Sequence, residues 1–525
     1  MNRRILFFFC NLFLRAATAQ VIPVEIIENV NGSFTLLRGG EPYYIKGAGG
    51  TNKALFQELS QRGGNSIRTW GVDGLTRSVL NEADKYGLTV MLGLWMNKEK
   101  DGFDYDNEEK VKQQLENFRL FVRSFKDHPA LLAWSIGNEV DLAYSNLNVW
   151  NAVNDIALMI KEEDGQHPTL TITAGISNSK ANAIAARAPA LDMLGVNAYA
   201  SISSVHSTIT GSNWRKPYLI TEWGVNGPWE VSKTSWGAPL EPNSSEKAAT
   251  FLSRYQQYIV PHQDVCPGSY AFYWNNKFEA TQTWFGLLLG AETTEMVDAL
   301  QYAWTGITDD NLAPHITSVK INGMGQHENV RITSKINNQI SVEANDPDGD
   351  TLNYEYLIMP ESGDDLVENI PGATFDAIPG IIVQTDSMYA NMDFQDTHNK
   401  LNLRLYILVR DGKGHLATAS FPFQTTFTMN TGYIDPMAKN GVNDNDWCTI
   451  WPNPADKFLN IQTSINFRNL EVSLYNLSGY PVIFQHFFKS DEPFSLDISR
   501  LSSGLYFLKI SDGMFYMDHF KIIKQ

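Results

Sequence analysis

Cysteine is scarce in this sequence, with three residues among 525. Cys10 lies in an apolar stretch at the N-terminus, so only Cys266 and Cys448 remain for the folded part of the chain. These two cysteines fall in different predicted domains. The pattern argues against a disulfide framework.

Sequence patterns for metal centres and for common nucleophiles are also absent. The 10 histidines are scattered, without an HExxH motif or a pair at helical spacing, and CxxC does not occur. The GxSxG nucleophile elbow is missing too. We therefore expect neither a metal nor a cofactor, and no serine-hydrolase chemistry.

Positive charge is in deficit. The chain has 41 Lys and Arg against 58 Asp and Glu, which gives a net charge of −17. Such a chain repels nucleic acid and anionic membrane surfaces, so neither is an expected partner. A neutral polysaccharide is indifferent to this charge.

The sequence has no apolar run long enough to span a bilayer. The run at residues 5–14 has ten positions, follows Arg3 and Arg4, and precedes small residues at 17–19. This order is typical of a secretory signal peptide, which we place at 1–19. It predicts an exported protein, extracellular or at the cell surface, without a membrane span.

The chain does contain a regular alternation of short apolar runs and helix-like stretches. Eight runs predict parallel strands, at 43–50, 65–71, 88–96, 130–140, 168–175, 191–200, 216–224 and 268–276. Helical patterns lie at 52–62, 76–86, 108–126, 147–163, 179–187, 244–259 and 292–303. The sixth connection, TITGSNWR (208–215), shows poor helical periodicity.

Eight strand-helix units over about 260 residues are the expected size of a (β/α)8 TIM barrel, an α/β fold. We place this barrel at 23–307. A doubly wound open sheet also alternates, but it usually has fewer strands and a GxGxxG first turn. KGAGGTNK (46–53) does not have that spacing.

The helical pattern ends before residue 314. Alternating runs such as 338–346 and 401–411, separated by turn signals, predict an Ig-like β-sandwich over 314–428. The polar stretch 429–446 predicts a linker, and the strands of 447–525 predict a third, small all-β unit.

The string DPDGD (346–350) has two interpretations. Clustered carboxylates are ligands for calcium, but the EF-hand spacing and its terminal Glu are missing. A turn whose aspartates bond the backbone is the favoured interpretation.

Two strings, SIGNEV and LITEWG, place a glutamate where a strand ends. Glu139 follows the run 130–136, and Glu222 follows 218–221. Retaining glycoside hydrolysis needs two carboxyl groups roughly 5 Å apart, one as acid/base and one as nucleophile. Asn138 directly precedes Glu139 and could bond the sugar 2-hydroxyl, which makes Glu139 the acid/base and Glu222 the nucleophile. The alternative is two surface glutamates at loop starts.

Other strand ends add polar side chains to the same rim. Arg68 ends the second strand and is expected to hydrogen-bond the nucleophile, with a structural salt bridge as the alternative. Asn197 and Tyr199 end the sixth strand. Tyr199 either positions the Glu222 carboxylate or packs as an ordinary core residue.

Four tryptophans are candidates for sugar binding, since flat apolar sugar faces suit indole rings. Trp95 and Trp274 end the third and eighth strands. Trp229 and Trp236 lie in the long seventh loop, 224–245, which we expect to form a wall of the substrate groove. Core packing is the alternative for a lone tryptophan.

The NE pair at 138–139 and TEWG at 221–224 resemble the clan of retaining (β/α)8-barrel glycoside hydrolases and look most like the family 2 catalytic barrels. The resemblance covers 43–304. It implies that four matching positions carry the family's functional residues: the acid/base Glu139, Asn138 before it, the nucleophile Glu222 and the strand-two arginine Arg68.

Family 2 barrels normally follow sandwich domains, which this sequence does not show before the barrel. The usual galactosidase, mannosidase or glucuronidase specificities are therefore not carried over. A family 5-like or β-1,3-glucan-active enzyme stays open.

At the other end of the chain, WPNP (451–454) and SGLY (503–506), with a basic close, resemble the type IX secretion sorting domain of Bacteroidetes. The resemblance implies passage across the outer membrane, with the type IX machinery as a partner. A carbohydrate-binding sandwich is the alternative.

These features predict a secreted retaining glycosidase that cleaves β-glycosidic bonds of a polysaccharide or oligosaccharide, with β-glucan or mannan favoured. A transglycosylase is a close alternative, because a sugar can replace water in the second step. A non-catalytic glycan-binding or adhesion protein on a decayed barrel is an alternative from a different class.

Overall fold

The computed structural model describes residues 21–361, 370–371, 377–427, 448–463, 470–476, 481–487, 493–511 and 517–525. The predicted signal peptide and the predicted linker lie outside the described residues. Two compact units are present. The first comprises residues up to Val225 with Thr250–Trp274 and Ala299–Ile307, and the second comprises Asn226–Ala249, Asn275–Asp298 and the chain from Thr308.

The first unit contains a closed barrel of eight parallel strands, as predicted. A small antiparallel sheet precedes it, formed by β1 (Val24–Glu28), β2 (Phe34–Arg38) and β3 (Glu41–Pro42). The barrel strands are β4 (Ile45–Gly49), β5 (Ser66–Arg68), β6 (Thr89–Leu94), β7 (Leu131–Asn138), β8 (Thr169–Ala174), β9 (Met193–Asn197), β10 (Tyr218–Trp223) and β11 (Gly268–Ala271). They pair in chain order, and β11 closes the barrel by pairing with both β10 and β4.

Helices follow the strands around the barrel. They are α1 (Phe56–Gln61), α2 (Thr76–Lys85), α3 (Glu108–Phe125), α4 (Asn148–Glu163), α5 (Asn178–Arg187), α6 (Ile202–Thr210), α7 (Ser244–Arg254) and α8 (Glu295–Thr305). A π-helical turn, Tyr255–Ile259, continues α7, and 3-10 turns lie at Lys53–Leu55, Glu99–Asp101, Val260–His262, Gln326–Glu328 and Asp396–His398. No helix of the described residues is long and apolar enough to cross a membrane.

The sixth connection is more helical than predicted. Its helix, α6, begins upstream of TITGSNWR and ends at Thr210. The buried residues Ile202, Val205 and Ile209 are spaced three and four apart, which is helical periodicity. The expectation of a poorly helical connection was wrong because most of this pattern lies before residue 208.

The barrel interior is closed at the end where its strands begin. Val24 and Leu36 of the small sheet join one core cluster with barrel residues such as Leu170 and Tyr270. The Val24 amide donates to the carbonyl of Gln166, just before β8, at 2.8 Å. The opposite rim, where the strands end, carries the loops in which barrel enzymes place their sites.

The second unit begins with short strands, β12 (Lys277–Phe278), β13 (Leu288–Leu289) and β14 (Glu292–Thr293). Its sandwich strands are β15 (His315–Ile321), β16 (Arg331–Ile332), β17 (Asn338–Asn345), β18 (Asn353–Pro360), β19 (Ile370–Pro371), β20 (Ile382–Asp386), β21 (Tyr389–Met392), β22 (Asn402–Arg410) and β23 (Leu416–Thr425). Two four-stranded sheets, β15-β17-β21-β20 and β16-β23-β22-β18, enclose one apolar core, and β12 pairs with β19.

The final segment is all-β, as predicted. Its strands are β24 (Cys448–Trp451), β25 (Phe458–Thr463), β26 (Leu470–Tyr475), β27 (Pro481–Phe487), β28 (Phe494–Asp497), β29 (Gly504–Ser511) and β30 (Met517–Lys524). They form the sheets β24-β25-β28 and β27-β26-β29-β30 around a separate core.

The DPDGD segment forms a turn that its first aspartate stabilises. Asp346 Oδ1 accepts the amides of Asp348 and Asp350 at 2.9 and 3.0 Å. Carboxylate oxygens of Asp346, Asp350 and Asp411 lie within 4.8 Å of one another, and the Lys413 ammonium pairs with Asp350 at 2.6 Å. These bonds are those of the favoured interpretation, a turn whose aspartates bond the backbone, and calcium binding stays the alternative.

Candidate active site

Glu222 lies near the end of β10 and accepts three hydrogen bonds from side chains. Its Oε1 receives Arg68 Nη1 at 2.8 Å and Trp70 Nε1 at 2.9 Å, and its Oε2 receives the Tyr199 hydroxyl at 2.9 Å. Only 7% of the residue is exposed. One full positive charge and two neutral donors therefore orient this carboxylate and complement its negative charge.

Arg68, the last residue of β5, is fully buried and holds several strand ends together. Its Nη2 donates to Asn138 Oδ1 at 2.6 Å, and its Nη1 also reaches Asn197 Oδ1 at 3.2 Å and the carbonyl of Thr221 at 2.6 Å. The planar guanidinium matches this fixed set of acceptors. A positive charge at the centre of the cluster makes it a poor site for a metal cation.

Glu139 follows β7 directly and adopts an unusual backbone conformation. Its φ is 52°, in the left-handed region that non-glycine residues rarely occupy, and its amide donates to the Ile172 carbonyl at 2.9 Å. Gly137 has a φ of 74°, and a Cβ there would lie 2.7 Å from Val140 Cγ1. Strained backbone of this kind is often found at functional sites, where the surrounding structure holds it.

Asn197 connects the two carboxylates of the site. Its Nδ2 donates to Glu139 Oε1 at 2.8 Å and to Asn138 Oδ1 at 3.2 Å. Thr221, next to Glu222, donates to Asn197 Oδ1 at 2.9 Å. The predicted residues of β5, β7, β9 and β10 thus form one hydrogen-bonded cluster.

The pKa of Glu139 is raised above its ordinary value. Burial is the main cause, and the charge of Glu222 adds to it. The hydrogen bond from Asn197 and the ammonium of Lys98 oppose the shift, while the carboxylate of Asp141 favours it. This environment holds a proton on Glu139 to higher pH than on an ordinary glutamate, which a general acid requires.

Asp141 offers a test of this electrostatic coupling. Its Oδ1 accepts the Ala174 amide at 3.1 Å, and it forms an ion pair with Lys180. Asp141→Asn keeps an acceptor but removes a negative charge and leaves the charge of Lys180 without its carboxylate partner, so the pKa of Glu139 should fall. The alkaline limb of the kcat/KM–pH profile should therefore move to lower pH, measured on a glycoside with a poor leaving group.

The matched control for this substitution is Asp155→Asn, which removes one charge from the exposed face of α4. This control should leave the alkaline limb of the kcat/KM–pH profile at its wild-type pH. If the alkaline limb of the kcat/KM–pH profile of Asp141→Asn stays in place or moves to higher pH, the electrostatic coupling between Asp141 and Glu139 is contradicted.

Trp70 is a site residue that the sequence reasoning missed. Its ring lies 5.2 Å from the Arg68 guanidinium carbon. Glycines make room for it: a Cβ on Gly93 would lie 2.3 Å from the Trp70 carbonyl carbon, and one on Gly49 would lie 2.9 Å from Trp70 Cη2. The available signal was the spacing between Arg68 and Trp70, which are two residues apart. Alternate residues along a strand face the same side, so a site role for Arg68 indicates one for Trp70.

The end of β11 supplies two aromatic rings to the site. Phe272 and Tyr273 lie with their ring centroids 6.0 and 5.9 Å from that of Trp70, and Phe272 lies 6.1 Å from Tyr199. Trp274 does not join them. It is 1% exposed and its indole donates to the Leu55 carbonyl at 3.0 Å, so the stacking role predicted for Trp274 is wrong.

The other predicted tryptophans have accessible rings to different degrees. Trp95 follows β6, is 48% exposed, and lies 5.0 Å from the Lys98 ammonium. Trp229 and Trp236 belong to the second compact unit, where Trp229 is 58% exposed and Trp236 is partly buried. Sugar binding by these three residues stays a prediction.

Two family models match the chain. Residues 56–259 match "Glycosyl hydrolases family 2, TIM barrel domain", and residues 449–525 match "Secretion system C-terminal sorting domain". A search of curated proteins found no match.

Several solved structures resemble the chain at low identity. A β-D-glucuronidase of Dictyoglomus thermophilum is 18% identical over 55% of this chain and 54% of its own, with a TM-score of 0.42. A Parabacteroides merdae β-glucuronidase is 12% identical over 96% and 63%, with a TM-score of 0.39. A putative β-galactosidase from Bacteroides fragilis is 14% identical over 78% and 58%, with a TM-score of 0.41.

This chain thus covers less than two thirds of the length of each of these proteins. The family models match the segments that the sequence motifs indicated. The chain contains a family 2 glycosyl hydrolase TIM barrel domain and ends in a type IX secretion sorting domain.

Proposed function

We propose that this protein hydrolyses β-glycosidic bonds by double displacement with net retention, with Glu222 as nucleophile and Glu139 as acid/base. The contrast between the two carboxyl groups carries the proposal. Glu222 accepts three donors, one of them cationic, whereas the pKa of Glu139 is raised by burial and by the charge of Glu222. Two titratable groups in such opposed environments indicate a division into acid and nucleophile.

In the first step, Glu222 attacks the anomeric carbon while Glu139 gives its proton to the glycosidic oxygen. The carbon–oxygen bond to the leaving group breaks and a glycosyl ester forms on Glu222. Asn138 supports this step, since its Oδ1 is taken by Arg68 and Asn197. That arrangement leaves its amide Nδ2 for the sugar 2-hydroxyl.

In the second step, Glu139 acts as the base. Ester formation removes the charge of Glu222, which is one cause of the raised pKa of Glu139. The pKa of Glu139 therefore falls, and Glu139 can take a proton from water as the water oxygen attacks the anomeric carbon. The ester breaks, and two inversions give retention.

A polysaccharide or oligosaccharide is the substrate class that we favour, with a β-glucan or mannan first. The ring of Trp70, which hydrogen-bonds Glu222, and the exposed ring of Trp95 support a sugar ligand. Transglycosylation uses the same ester with a sugar as acceptor. The ordered cluster around both carboxylates argues against a decayed, purely glycan-binding barrel.

A panel of β-glucans, mannans and other polysaccharides tests this proposal by release of reducing sugar. On any substrate found, proton NMR during the first turnovers should show the β-anomer as the initial product. Initial appearance of the α-anomer would contradict double displacement. Sugar release equal to that of a Glu222→Gln sample on every substrate would contradict the enzyme assignment.

Removal of the C-terminal segment tests secretion separately from catalysis. Deletion of 447–525 should leave kcat/KM unchanged in the purified protein, because both catalytic carboxylates and the residues that hydrogen-bond them belong to the barrel unit. In the native host, the truncated enzyme should accumulate in the periplasm, as measured by fractionation and immunoblot. Normal export of the truncated chain, or loss of its activity, would contradict a sorting role.

A further inference from the structure

Lys98 lies at the catalytic rim with its side chain largely buried, and its ammonium has no hydrogen-bond acceptor among the described residues. It lies four residues after the last residue of β6 and is only 6% exposed. An ammonium has three donors, yet no described residue accepts a hydrogen bond from Lys98 Nζ. The ammonium lies over the ring of Trp95, whose centroid is 5.0 Å away. A ring face is a weaker partner than an anion.

The carboxylates near Lys98 do not fully offset its charge during the reaction. Glu139, Asp101 and Asp141 favour the charged ammonium electrostatically, but burial outweighs them and lowers the pKa of Lys98. Asp141 is paired with Lys180, and Asp101 is exposed to solvent. Glu139 must be protonated, and hence neutral, when it assists the leaving group.

An ammonium in a largely buried side chain without a protein acceptor is stabilised by a ligand that supplies an anion. Lys98 follows β6 and Glu139 follows β7, and these two strands pair in parallel, so both residues lie at neighbouring strand ends of the rim. Glu139 is the group that protonates the departing oxygen. Groups beside Glu139 therefore meet the leaving-group sugar. Trp95 offers an exposed ring here.

We propose that Lys98 and Trp95 form a leaving-group subsite for a sugar that carries an anionic substituent, with Lys98 pairing with the anion. The shared chemistry is a carboxylate or a sulfate ester. This inference rests on the proposed function, because it needs Glu139 as the acid. It predicts that, within the polysaccharide class proposed above, glycans with an acidic sugar on the leaving side are cleaved faster than neutral β-glucans or mannans.

Matched leaving groups test the subsite. Aryl glycosides of the sugar that the polysaccharide panel identifies are prepared with 4-carboxyphenyl, 4-sulfophenyl and neutral 4-(methoxycarbonyl)phenyl leaving groups. In the wild type, kcat/KM for at least one anionic glycoside should exceed that for the neutral glycoside. In Lys98→Gln this ratio should fall by roughly tenfold, the effect of losing one charge-assisted hydrogen bond.

Two variants complete the design. Lys98→Arg keeps the charge and should retain most of the preference. Lys100→Gln removes an exposed cation from the same loop and should leave the ratio unchanged. The ratio of the 4-carboxyphenyl to the 4-sulfophenyl glycoside distinguishes carboxylate from sulfate recognition.

Equal losses on anionic and neutral glycosides in Lys98→Gln would overturn the proposal, since Lys98 would then act only through Glu139. An unchanged ratio in Lys98→Gln would overturn it as well. Failure of the proposed function looks different: the wild type and Glu222→Gln would then cleave all three glycosides equally poorly. Thermal melting of each variant separates a folding defect from a binding effect.

Discussion

Glu222→Gln should lower kcat/KM by about 10⁴-fold or more while the protein stays folded. The amide preserves the shape of the side chain. Its oxygen can still accept the hydrogen bonds of Arg68 and Trp70, and its NH2 group can donate to the Tyr199 hydroxyl oxygen, but the amide cannot form the glycosyl ester. No described neighbour offers a replacement, because the groups around Glu222 are hydrogen-bond donors. The loss should appear in kcat, since the nucleophile acts in the transition state.

The kinetic measurement needs a control variant and an independent identification of the nucleophile by covalent labelling. Glu109→Gln, on the exposed face of α3, removes the same charge and should keep wild-type kinetics. Circular dichroism and melting should match the wild type for both variants. A 2-deoxy-2-fluoro glycoside of the cleaved sugar should label the wild type on the peptide that contains Glu222. Activity of Glu222→Gln within about tenfold of wild type, or a label elsewhere, would contradict the assignment.

The barrel and the position of its site could be predicted from the sequence for one physical reason. Parallel strands buried on both faces form nearly continuous apolar runs, so the point where each run ends can be read directly. In a closed barrel these ends meet at one rim. Arg68, Asn138, Asn197 and Glu222 are therefore brought together as the strand pattern indicated.

Residues beyond the strand ends could not be predicted in this way. Trp274 lies three residues after β11, where the path of the loop, and not strand alternation, decides which side the ring faces. The position of Trp70 depends on two glycines of neighbouring strands, because a Cβ on Gly49 would meet its ring and a Cβ on Gly93 would meet its backbone. Lys98 reads as an ordinary loop lysine until its burial is known.

The hydrogen-bond partners of Glu139 and Glu222 also required the structure. Sequence order gives each residue a strand, but the pKa of Glu139 depends on three-dimensional proximity to Glu222, Asn197 and Lys98. The assignment of roles from Asn138 alone rested on resemblance and on reach to the 2-hydroxyl. The raised pKa of Glu139 adds an independent physical argument for the same roles.

Glu139→Ala should separate the two roles of the acid/base. A glycoside with a poor leaving group should lose nearly all turnover, because its oxygen must be protonated as it departs. An activated aryl glycoside needs little protonation, so the first step should survive. The second step should stall without a base for water, and mass spectrometry should show the glycosyl ester accumulating on Glu222.

Added azide should then restore turnover of the aryl glycoside in Glu139→Ala, because azide attacks without a base. The space left by the missing carboxyl lies on the side from which water attacks, so the product should be a glycosyl azide of retained configuration. The control is Glu222→Ala, where azide can only replace the nucleophile from the opposite face and the product is inverted. If azide rescues Glu222→Ala strongly and leaves Glu139→Ala inert, the second step does not use Glu139 as its base. The raised pKa of Glu139 would then reflect burial without catalytic use, and the acid/base would have to be sought elsewhere at the rim.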